Sequence, residues 1–74
     1  MHFIKNYDGT ECINVSKITR FYIDDVPFEH TEDRYSLYAE YEGGNTPILI
    51  SKNLTMEKAQ REMDIMTSAL ITAR

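Results

Sequence analysis

In several segments between residues 2 and 51 apolar and polar positions alternate with a period near two, and from residue 55 onward the period lengthens to about 3.6. The change marks a passage from strands to a helix. It predicts an α+β fold: an antiparallel sheet of about five strands (β-β-β-β-β-α) with one amphipathic C-terminal helix packed on one face.

The strands are read from their boundaries. Residues 2–7 and 10–15 flank Asp8-Gly9, a hairpin signal because a two-residue turn of this kind needs positive φ at both positions. After a short bend at Ser16-Lys17, residues 18–23 (Ile-Thr-Arg-Phe-Tyr-Ile) resume as a β-branched and aromatic run. Residues 34–42 alternate most clearly, with Tyr35, Leu37, Ala39 and Tyr41 on one side and Ser36, Tyr38 and Glu40 on the other. Gly43-Gly44-Asn45 predicts a turn, and residues 46–51 return as a fifth strand. Pro47 lacks a donor and puts the start of that strand at an edge or outside the sheet.

In the helix, Ala59, Met63, Met66, Leu70 and Ala73 form one apolar stripe, with Met56 continuing it. Thr55 supplies an N-cap oxygen, Glu57 lies in the positive first turn, and Leu54 before the cap is placed to pack on Ala59 after it. Methionines also suit adaptable binding grooves, but a helix closing a small sheet needs the stripe as core. Ile65 points about 160° from Met63 at 100° per residue, and with Ala69 it forms a second, smaller apolar strip. That strip is a candidate homodimer contact.

Length limits the rest. A chain of 74 residues is one domain, 1–74, with little core to spare for a deep cleft. Eight Lys and Arg against twelve Asp and Glu give a net charge of −4, and the basic residues are scattered, which disfavours direct nucleic-acid binding. No apolar run reaches the roughly 18 residues of a membrane span, and no basic segment followed by an apolar one opens the chain, so a cytoplasmic location is expected.

Chemistry-bearing residues are few. Cys12 has no disulfide partner and is read as a small apolar strand residue, buried or half-buried. Asn14-Val15-Ser16 and Asn53-Leu54-Thr55 match the glycosylation pattern but read as a strand end and a lead into the helix. Asp24, Asp25, Glu29, Glu32 and Asp33, with His30, form the one acidic cluster, without the spacing or glycine of a calcium loop. Cys12, His2 and His30 fall short of a zinc set. Pro27 and the charge density predict a solvated loop. No phosphate-binding glycine loop, nucleophile set or His-Glu-x-x-His motif occurs, so neither a metal, a cofactor nor an enzymatic activity is expected.

The order of strand, Asp-Gly turn, Ile13-Asn14-Val15-Ser16-Lys17-Ile18, Phe21-x-Ile23, long loop, strand, glycine turn, strand and helix resembles short bacterial β-meander proteins with a C-terminal helix. In layout it is similar to FlbD-type flagellar proteins, which place a glycine-centred hairpin near the start and another before the last strand. The acidic 24–33 loop is longer than in that pattern. Strands feeding a capping helix are also similar to the C-terminal part of pleckstrin-homology-like folds, which have about seven strands. Either resemblance implies architecture and carries no activity.

Two functions fit these features. One is a small cytosolic protein-protein interaction domain using Tyr22 and Tyr38, which fall on the strand faces opposite Phe21/Ile23 and Leu37/Ala39. A plainer arrangement makes these tyrosines cross-strand partners covering their own sheet. The other is an acidic inhibitor or decoy from a phage or mobile element, steered to a host nucleic-acid-processing protein by Asp24, Asp25, Glu29, Glu32 and Asp33. Self-assembly through Ile65 and Ala69, or through the strand edge at Ile48 to Ile50, is a further expectation.

Overall fold

A computed structural model describes residues 3–25 and 32–73. The elements run β1 (Phe3–Lys5), β2 (Cys12–Asn14), a 3₁₀ turn (Val15–Lys17), β3 (Ile18–Asp25), β4 (Tyr35–Tyr41), β5 (Ile48–Leu54) and α1 (Met56–Ala73). The fold is α+β and its strand pairs are antiparallel. The expected single five-stranded sheet is not formed. Among the described residues β1 and β2 pair only with each other, and β3, β4 and β5 form a separate sheet in that order.

The junction explains the split. Asn14 Oδ1 accepts from the Ser16 amide at 3.0 Å and the Ser16 hydroxyl at 2.9 Å, which starts the 3₁₀ turn and bends the chain out of the strand direction. The turn delivers Val15 and Ile18 into the core at 1% and 0% exposure. Burying these two side chains favours the bend over a straight ladder. The hairpin meets the larger sheet elsewhere, where the Tyr7 amide donates to the Leu49 carbonyl at 2.8 Å.

Its loop differs from a two-residue turn as well. Asn6 Oδ1 accepts from the Thr10 and Glu11 amides at 2.9 and 3.2 Å, and the Asn6 carbonyl accepts from Gly9 N–H at 3.1 Å. Gly9 takes φ of +71° while Asp8 does not turn positive. An asparagine that satisfies the loop amides lets six residues close the hairpin with one left-handed glycine.

The larger sheet follows the alternation in its strands. Leu37, Ala39, Ile50 and Leu54 are buried with Ile13, Ile18 and Ala59, and Phe21, Ile23, Tyr35, Tyr41, Met63, Met66 and Leu70 pack around them. Ala59 is the one fully buried helix side chain among these, because a methyl group lets α1 approach the sheet closely. The helix start is as predicted: Thr55 Oγ1 accepts from the Lys58 amide at 3.2 Å, and Leu54 and Ala59 share the core cluster. Asn53 at φ of +58° turns the chain from β5 toward the helix, a conformation asparagine tolerates better than most residues. β5 begins directly after Pro47 and lies at the sheet edge. At the β4–β5 turn Gly43 takes φ of +81°, and a Cβ on Gly44 would fall within the Tyr41 ring.

Candidate functional site

Helix α1 covers one face of the β3–β4–β5 sheet, and the residues of the other parity form the opposite face. On β3 these are Arg20, Tyr22 and Asp24, directly opposite Glu40, Tyr38 and Ser36 on β4. Directly opposed side chains in an antiparallel pair lie close enough to interact. Tyr22 and Tyr38 do so as a parallel stack, with ring centroids 5.4 Å apart and an interplanar angle of 15°. Leu49 extends the row onto β5.

The stack has a charged border. Arg20 Nη2 donates to Glu40 Oε1 at 2.8 Å, and its guanidinium lies 4.8 Å from the centre of the Tyr22 ring. The Glu40 hydrogen bond holds the Arg20 guanidinium above its ordinary pKa, followed by the Coulombic attraction of the same carboxylate. Partial burial pushes the Tyr22 phenol above its usual value, and the Glu40 charge adds to the shift. Both tyrosines are half-buried, so the plainer arrangement of cross-strand partners is realised in the contact between them. Their exposed portions remain on the helix-free side.

The acidic cluster is not gathered into one surface by the described residues. Asp25 Oδ1 accepts from Arg34 Nε at 2.8 Å, which holds the Arg34 guanidinium above its ordinary pKa. Asp24 Oδ1 accepts from the Asp25 amide at 3.1 Å, and Glu32 and Asp33 are exposed. Glu29 and His30, like His2 and Pro27, lie outside the described residues. Among the described residues no group of three or more His, Cys, Asp or Glu is placed to hold a metal ion.

Two other expectations move. Cys12 is exposed, not buried, because Ile13 and Val15 take the inward positions of this segment and leave Cys12 outside. On α1, Ile65 is 59% exposed as expected, but Ala69 is half-buried. Ile71, further round the helix, is more exposed still at 71%.

Sequence reading missed the ledge at the β4–β5 turn. Thr46 and Pro47 separate two open clefts of about 230 and 240 Å³, the first reaching Thr19 and Glu40, the second reaching Tyr7 and Asp8. Tyr41 borders both. No motif signals these clefts: the first lies between the β4–β5 turn and the start of β3, and the second where the hairpin loop meets the β5 edge. Tyr7 marks that meeting point, with its ring 4.8 Å from Lys52 Nζ. No helix is long and apolar enough to cross a membrane among the described residues. Comparison with known proteins finds no matching family model, no matching curated protein and no matching solved structure.

Proposed function

We propose that this chain is a non-enzymatic protein-binding domain whose contact surface is the helix-free face of the β3–β4–β5 sheet. The observation that carries the reading is the Tyr22–Tyr38 stack on that face, bordered by the Arg20–Glu40 pair. Tyrosine contributes large contact area with few rotatable bonds and a polar end for hydrogen bonding. Stacking fixes the two rings before a partner arrives, which lowers the ordering cost of association.

The alternative, an acidic decoy, places affinity in Asp24, Asp25, Glu29, Glu32 and Asp33. The Arg34 contact to Asp25 works against it by neutralising part of that charge.

Capture of partners from host lysate by the tagged chain, at low and high salt, separates the two. The proposal expects a protein retained at high salt, lost by the Tyr22→Ala/Tyr38→Ala variant and kept when the five carboxylates are changed to amides. A partner released by salt and by the amide variant, yet kept by the tyrosine variant, would overturn it in favour of the decoy. A capture containing the chain alone would also count against it.

A further inference from the structure

The two edges of the larger sheet are unequal. β5 carries several features that discourage pairing: Pro47 at its start, Lys52 and left-handed Asn53 within it, and the Tyr7 amide on the Leu49 carbonyl. β3 is eight residues long and pairs with β4 on one side. Among the described residues, no backbone hydrogen bond outside that ladder reaches Phe21 to Asp25. A strand edge of this kind is a template for another strand.

The side chains of β3 specify which one. A two-fold axis normal to the sheet sets one copy of β3 antiparallel to another, and each residue then faces a residue of the same parity. With the axis at Tyr22, Arg20 of each copy stands opposite Asp24 of the other, and Phe21 opposite Ile23. This same-face register pairs the opposite charges twice and joins apolar residues on the core side. Arg20 is 60% exposed at its side chain, so its guanidinium has donors to spare beyond Glu40. Asp24 makes no ion pair among the described residues.

We infer that the chain forms a symmetric homodimer by antiparallel pairing of β3 with β3 of a second copy, in the register centred on Tyr22. The two sheets become one of six strands. Tyr38, Tyr22 and their counterparts then line up as one row of four rings across the helix-free face. The inference uses the edge of the sheet and the charges at 20 and 24, and it stands whether or not that face binds another protein. The helix strip at Ile65 and Ala69 has no comparable charge pattern.

The test is the mass in solution, by sedimentation velocity over a dilution series, of the wild type and charge variants. The wild type is expected at twice the chain mass. Arg20→Asp and Asp24→Arg each place like charges across the axis twice, so each alone is expected at the monomer mass. Mixing the two is expected to restore a dimer with one chain of each, and the double variant carrying both changes is expected to dimerise with itself. A wild type that is monomeric throughout, single variants that remain dimeric, or a mixture that stays monomeric would overturn the inference. Crosslinking covers variants that fail to fold: in a Cys12→Ser background, Tyr22→Cys is expected to give a disulfide-linked dimer on mild oxidation and Ile65→Cys is not. The reverse pattern would replace the β3 edge by the helix.

Discussion

The two faces of the β3–β4–β5 sheet are built from the same strands and held by different physics. Under α1, Leu37 and Ala39 are fully buried and Ile50 nearly so, and what keeps them there is removal of apolar surface from water. On the opposite side, Tyr22 and Tyr38 are half-buried and hold each other, with Arg20 bonded to Glu40 beside them. The first face determines whether the chain folds. The second contributes less to folding and is the surface another molecule can reach.

Substitutions should separate the faces in descending order of effect on stability. Leu37→Ala leaves a cavity at the centre of the covered face and is expected to cost about 2–5 kcal/mol, read from urea unfolding. Gly44→Ala comes next, because its Cβ would collide with Tyr41 ring atoms at 2.6 and 2.7 Å; a loss of roughly 1–3 kcal/mol is expected. Gly9, with open space around its α-carbon, serves as the contrast, since its substitution meets conformational strain alone. Thr55→Ala removes the helix cap, with an expected loss of about 0.5–2 kcal/mol and partial recovery in Thr55→Ser.

The smallest expected effect lies on the helix-free face and appears as a pH dependence. The Tyr22 phenol titrates higher in the folded chain than its ordinary value of 10.0. Above that pH the unfolded chain gives up the proton first, so stability is full below pH 10 and falls as pH rises through the folded value. Thermal unfolding followed from neutral to alkaline pH should show this decline, and Tyr22→Phe should reduce it. An equal decline in the variant would mean that other groups cause it.

Much of the covered face was legible in the sequence, because burial writes itself as periodicity. The alternation from Tyr35 to Tyr41 and the Thr55 cap with its 3.6-residue stripe point to β4 and α1 with little error at their ends. Less could be read where a few polar contacts decide. The Asn14–Ser16 bonds that break the sheet in two, and the Asn6 bonds that set the hairpin loop, depend on single side chains in segments too short for a period. Cys12 was misplaced because its apolar character was weighed above its parity, which sets it on the side away from Ile13 and Val15. The face of Tyr22 and Tyr38 was readable from their parity, whereas their direct opposition required the β3–β4 register.

The most direct test of the division between the faces is a paired measurement on Tyr22→Ala/Tyr38→Ala: urea unfolding of the variant, and its affinity for the captured partner by calorimetry. A variant that keeps a cooperative transition and the helical circular dichroism of the wild type, yet binds the partner at least tenfold more weakly, is the predicted result. Undiminished affinity in a folded variant would contradict it and move the contact surface away from the helix-free face.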